Sequence, residues 1–205
     1  MHTSKIATRL LTGFGGLLVF LLLISAISIY RLHQADQFTR FVLNDKLENE
    51  RKLTEWRNIV EINAARTLAA GKTADAATQK LFEDAIERSS SRAVALLDEL
   101  KVRIADPQAR QLLLATETQR SAYRQARAAA FKQKADGDME AAQRYFDSEF
   151  TVRADAYVAS VTQLVVYQRA LIDQLRTEIE KSASASIKLI VALAIGAIAA
   201  GSALA

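Results

Sequence analysis

No cysteine occurs anywhere in the 205-residue chain, which excludes a disulfide framework, a thiolate metal site and a cysteine nucleophile. Proline occurs once, at Pro107, and glycine seven times, although half the residues are hydrophobic. A chain so poor in turn residues favours long helices over a turn-rich β fold. The two histidines, His2 and His33, flank an apolar run and form no plausible triad. No Glu-x-x-His pair is present, so the ligand set of a bundle di-metal centre is missing. "GFGG" at 13–16 lies inside the apolar run with no strand before it, so it is not a phosphate loop. No catalytic residue, metal or cofactor is expected, and the chain does not read as an enzyme.

Charge of one sign is also scarce where it would matter. The net charge is +4, but all 23 acidic residues lie between Arg31 and Ser186. Setting aside Lys5, Arg9 and Lys188 leaves 24 of the 27 basic residues in the same stretch, which is therefore nearly neutral. Nucleic acid is not expected as a partner, because no basic stripe stands out.

Long apolar runs are what the chain does have. Residues 10–30 carry no charge. As a helix this run reaches ~30 Å, the thickness of a bilayer's hydrocarbon. A secretion-signal core is shorter, roughly 7–15 residues, and ends in a small-x-small site. "SAIS" offers such a site, but the helical pattern continues past it through Arg31 and Leu32, so a retained anchor is expected. Residues 187–205 form a second run with one charge, Lys188, at its edge. Ala192, Gly196 and Ala200 make a small-residue stripe in it. Lys5 and Arg9 place residues 1–9 on the cytoplasmic side. Residues 31–186 then fall outside the cell inner membrane, in the periplasm. The chain stops with the second span, as a fragment of a longer protein would.

Between the runs the period is helical. Ala35, Val42, Leu53, Trp56, Val60 and Ala70 mark a first helix that ends at Gly71, read as a left-handed cap, with Thr73 capping the next. Leu81 to Ile104 carry the second, and "ADP" at 105–107 stops it. The third spans about residues 108–134, and Gly137 with Asp138 repeats the stop-and-cap signal before a fourth helix from Met139. Three short breaks between four helices predict an all-α fold: an antiparallel up-down-up-down bundle whose first and last helices continue into two transmembrane helices. Those signals argue against a long dimeric coiled coil.

Arginines are the candidate ligand groups, since they grip carboxylates bidentately. On the fourth helix the stripe 142, 146, 150, 153, 157, 161, 164 puts Arg153 on the core side, with Thr151 and Tyr157 nearby. A core-facing guanidinium needs a carboxylate or an anionic ligand. Arg120, Tyr123 and Arg127 share a face of the third helix. Arg66 lies just below Gly71. Counted from the tip, Arg66, Arg127 and Arg153 spread over ~15 Å, so one small ligand cannot touch all three. The bland alternative pairs each arginine with Glu61, Asp147, Glu149 or Asp155. Glu83, Asp84 and Glu87 read as a solvated face. A small organic acid is the expected ligand.

"KIATRLLTGFGGLLVFLLLISAISIYRL", from Lys5, resembles the first span of bacterial methyl-accepting chemotaxis receptors with a four-helix-bundle sensor. "W…EINAAR", Trp56 to Arg66, is similar to the ligand helix of the aspartate-sensing members. In that resemblance Arg66 falls on a ligand-binding arginine, and Thr151 of "SEFTVR" on a ligand-binding threonine. Glu61 and Ala70 replace two further pocket arginines, which puts aspartate specificity in doubt. The resemblance implies a homodimer with ligand at the subunit interface. It also implies a cytoplasmic part acting through a coupling protein on a histidine kinase. The rival readings are the sensor half of a membrane histidine kinase or cyclic-dinucleotide enzyme, and a purely structural membrane bundle.

Overall fold

The computed structural model describes the backbone of residues 3–204 and the side-chain surroundings of 15, 18, 22, 24–26, 28–30, 33, 43–192 and 194–196. Helices α1 (Thr3–Lys72), α2 (Ala76–Arg103), α3 (Pro107–Ala135), α4 (Met139–Tyr145) and α5 (Thr151–Leu204) follow in order, with a π-helical turn, Phe146–Phe150, between the last two. The chain divides into two compact units, Asp45–Ile172 and a second made of Met1–Asn44 with Asp173–Ala205.

In the second unit several of the described apolar side chains, among them Leu22, Ile29, Ile187 and Ile195, are exposed. Among the described residues no helix is long and apolar enough to cross a membrane. Most side chains of 10–30, and those of Leu193 and 197–205, lie outside the described residues.

The unit 45–172 is an antiparallel four-helix bundle, as the cross-helix pairs demonstrate. Along α1 and α2 the partners run in opposite directions: Asp45 with Arg103, Lys52 with Glu99, Glu55 with Arg92, Asn63 with Ser89. Tyr123 against Phe150 and Asp106 against Tyr167 do the same for α3 and α5. The core is Leu53, Trp56, Leu96, Leu100, Phe146, Phe150, Val161 and Leu164, all fully buried. Burying such a side chain contributes ~1.5–3 kcal/mol each.

Three aspartates start the helices. Asp75, Asp106 and Asp138 accept hydrogen bonds from the amides of Thr78, Ala109 and Ala141 at 2.8–2.9 Å. Each such cap stabilises by ~1 kcal/mol. Pro107 occupies the first turn of α3, where its missing N–H is harmless. Gly137 has φ +90°, and the amides of Gly137 and Asp138 reach back to the carbonyls of Lys134 and Gln133. That is a Schellman closure of α3.

The α1–α2 corner differs from its sequence reading. Gly71 lies inside α1 with an ordinary helical φ, not in a left-handed cap. A Cβ there would fall 2.3–2.7 Å from the ring of Phe146, so glycine is needed for close packing. The end of α1 is closed by Lys134, whose Nζ donates to the carbonyls of Ala70 and Thr73 at 2.8 and 2.7 Å. Burial pulls that ammonium's pKa down. The cap of α2 is Asp75; Thr73 instead accepts a hydrogen bond from the Asp75 amide.

The fourth rod also departs from a uniform α period. Its buried positions are Ala142, Phe146, Phe150, Ala154, Tyr157, Val161 and Leu164. Three successive steps of four overshoot an α-helical face by ~40° each. The π turn, with its extra residue, absorbs the drift. Thr151 Oγ1 donates to the Phe146 carbonyl, five residues back, at 2.8 Å.

Candidate functional site

Small residues hollow out one side of the bundle. Where Leu96, Leu97 and Leu100 fill the lower part of α2, the turn above offers Ser89, Ser90, Ser91 and Ala93. The space left is a groove of about 570 Å³ between α2 and α3, floored by α1 and by Tyr157 of α5. Floor and polar side are distinct. Ile59, Val60, Ile86, Phe131 and the rings of Tyr123 and Tyr157 supply apolar surface. Asn63 accepts from Ser89 Oγ at 2.7 Å and donates to Ser90 Oγ at 3.4 Å.

The α3 wall carries Arg120, Arg124 and Arg127, which with Tyr123 recur at helical i, i+3, i+4 and i+7 spacing. Among the described residues none of the three guanidinium groups meets a carboxylate. Other arginines of the unit are tied to carboxylates, Arg92 to Glu55 at 2.6 Å, Arg103 to Asp45 at 2.8 Å and Arg169 to Glu50 at 2.7 Å, while Arg57, Arg66, Arg88 and Arg110 share the carboxylate-free state of the groove arginines. Arg127 stands 6.0 Å from the centre of the Tyr123 ring, within cation–π range. The α2 wall carries Glu83 and Glu87.

Beneath the groove the aromatic side chains form a connected column. Tyr123 packs against Phe150 and Tyr157, with ring centres 5.4 and 5.5 Å apart. Tyr157 meets Trp56 edge-on and accepts the indole Nε1–H at 3.1 Å. Burial pushes the Tyr157 hydroxyl up to about 12, and the Trp56 hydrogen bond and the Arg120 charge offset only part of this. Burial likewise raises Tyr123, against the Thr67 hydrogen bond and the Arg127 charge. The Thr67 hydroxyl, 3.2 Å from that of Tyr123, is fully buried and donates to the Asn63 carbonyl. Both phenols are neutral at physiological pH.

The sequence-level candidates divide. Tyr123 and Arg127 come together on the groove, with Arg120. Arg153 does not: it is exposed and binds Glu149 at 2.7 Å, while Ala154 takes the core position. Its expected core orientation fails because the π turn advances the register by one residue. Thr151 uses its hydroxyl proton on its own helix. Arg66 is half-buried, meets no carboxylate among the described residues and is not a groove residue. Arg124, Asn63 and Ser90 were not singled out by sequence, and of the expected solvated face Glu83, half-buried, and Glu87, exposed, also line the groove. The legible signal for Arg124 was its i+4 relation to Arg120.

A family model described as a four-helix-bundle sensory module for signal transduction matches residues 3–183. The chain belongs to this sensory-module family of methyl-accepting chemotaxis proteins. No curated protein matches the sequence. In the sensory module the bundle is a receptor domain, not a catalytic one, and it works within chemotaxis signal transduction.

Proposed function

We propose that the chain is the sensor portion of a transmembrane chemoreceptor that binds a small organic acid in the α2–α3 groove. The observation that carries the reading is the arginine wall: three guanidinium groups without carboxylate partners above an apolar floor, in a module that belongs to a sensory family. Arg127 and Arg120 grip the carboxylate, and Tyr123 orients Arg127. In this reading the apolar runs 10–30 and 187–205 cross the inner membrane with the bundle in the periplasm. Ligand binding favours one position of α5 relative to α1, and an axial slide carries the signal inward. A ligand shifts that equilibrium only through contacts that differ between the two states. Two copies form the homodimer, and a cytoplasmic part engages a coupling protein and a histidine kinase.

The test is a thermal-shift panel of organic acids against the full chain in lipid nanodiscs. A true ligand at 100 times its Kd stabilises by ~2.7 kcal/mol. Arg127→Ala removes the shift. No shift with any acid sinks the proposal. A second reading places the ligand between two copies through Arg66, as the receptor resemblance implies; the unpaired state of Arg66 favours it. Loss of binding in Arg66→Ala with Arg127→Ala unaffected selects that reading instead.

A further inference from the structure

The two walls of the groove carry opposite charge, and lysines lie within electrostatic range of the acidic one: Lys134 of α3 near Glu83, and Lys80 of α2 near Glu83 and Glu87. Arg120, Arg124 and Arg127 stand on α3, Glu83 and Glu87 on α2. No ion pair joins the walls, although Lys101 of α2 and Glu117 of α3 pair lower down between the same two helices. Glu83 instead accepts a hydrogen bond from Gln79, one turn back on its own helix, at 2.8 Å. The floor between the walls is apolar and partly aromatic: Ile59, Val60, Tyr123, Phe131 and Tyr157.

We infer that the groove selects a carboxylate of single negative charge with a flat, ring-sized apolar body, and that Glu83 and Glu87 reject a second negative charge. The inference rests on the reading of the groove as the ligand site. One carboxylate satisfies the arginine wall through charge-assisted hydrogen bonds. The rest of the ligand then lies on the floor, where burying apolar surface is worth ~25 cal/mol per Å². A small, strongly hydrated diacid gains little there and still sheds water. Its second carboxylate also approaches the two glutamates of the α2 wall, and like charges repel. Discrimination comes from the repulsive wall as much as from the attractive one.

Benzoate and phthalate separate these effects, because they share a ring and differ by one carboxylate. Calorimetric titration of the full chain in nanodiscs is expected to show benzoate binding about tenfold tighter than phthalate, or ~1.4 kcal/mol. In the Glu83→Gln/Glu87→Gln variant that gap closes, while benzoate affinity changes less than about threefold. Glu87→Gln alone closes part of it and leaves the Gln79–Glu83 hydrogen bond intact. Phthalate binding as tightly as benzoate in the native chain overturns the inference. So does a gap unchanged in the variants, since the rejection then arises elsewhere. Phenylalanine binding tighter than 3-phenylpropanoate also overturns it, for the glutamates would then be pairing an ammonium. If succinate binds and neither ring acid does, this inference falls and the organic-acid reading stands. If no acid binds, both fall.

Discussion

Gly71→Ala is the sharpest test of how the tip of the bundle is built. An alanine Cβ at 71 would lie 2.3, 2.4 and 2.7 Å from Cζ, Cε2 and Cε1 of Phe146. Carbon atoms in contact sit at ~3.5–4.0 Å, so a displacement of about 1 Å is needed. Phe146 cannot swing away. It is fully buried, with the Phe131 and Phe150 rings 5.3 and 5.6 Å away, centre to centre. Overpacking of this kind costs typically 1–3 kcal/mol. Against it stands helix propensity, which favours alanine over glycine by ~1 kcal/mol inside a helix. The net expectation is a loss of up to about 2 kcal/mol, seen as a Tm lower by up to roughly 5 °C in circular dichroism at 222 nm.

The same substitution in a Phe146→Leu background separates mechanisms. Leucine lacks the three ring atoms that clash, so Gly71→Ala should there stabilise by ~0.5–1 kcal/mol through propensity alone. The sign of the effect inverts. A glycine needed for a left-handed conformation behaves otherwise: alanine destabilises it by about the same amount in both backgrounds. Equal effects in the two backgrounds, or stabilisation of the native chain by Gly71→Ala, would refute the packing argument.

Further expectations follow from the other departures from regularity. Deleting Ser148 from the π turn should leave a cooperatively folded bundle, because the extra residue is removed and the core spacing becomes that of an α-helix; loss of cooperative thermal unfolding contradicts this. The Tyr157 hydroxyl, pushed up to about 12 against ~10 in an unfolded chain, contributes stability that is complete below pH 10 and is lost as pH rises toward 12. That loss amounts to ~3 kcal/mol and should shrink in Tyr157→Phe, while a tyrosinate absorbance titration showing every tyrosine ionising near pH 10 would contradict the burial. Arg153→Ala, on the outer face, should leave organic-acid affinity within about twofold, whereas Arg127→Ala should weaken it at least tenfold; the reverse order moves the site off the groove. Asp106→Ala removes the α3 cap and the partner of the Tyr167 hydroxyl, with an expected loss of ~1–2 kcal/mol in chemical denaturation.

What could be read from sequence was whatever short-range chemistry decides. Asp106 before Pro107, and Gly137 before Asp138, act within four or five residues of themselves, so their roles were visible without a fold. Gly71 was misread because two features look alike in one dimension: a glycine at a helix end serves a left-handed turn or a close approach, and only the Phe146 ring, 75 positions later, decides between them. Arg153 failed for a related reason. The α period assigns 153 or 154 to the core almost equally well after Phe150, and the choice falls to a π turn whose signal is weak: Ala142, Phe146 and Phe150 at steps of four. Polar faces are the hardest case. Glu83 and Glu87 have the spacing of an ordinary solvated stripe, and nothing local distinguishes them from such a stripe. What makes them a wall is the neighbouring α3, which lines the same groove as Ser90, Ser91 and Ala93 further along α2. The near balance of charge between Arg31 and Ser186 hides the same fact. A sum of charges says how many arginines could be paired, while only the packing of α2 against α3 brings Arg120, Arg124 and Arg127 onto one groove.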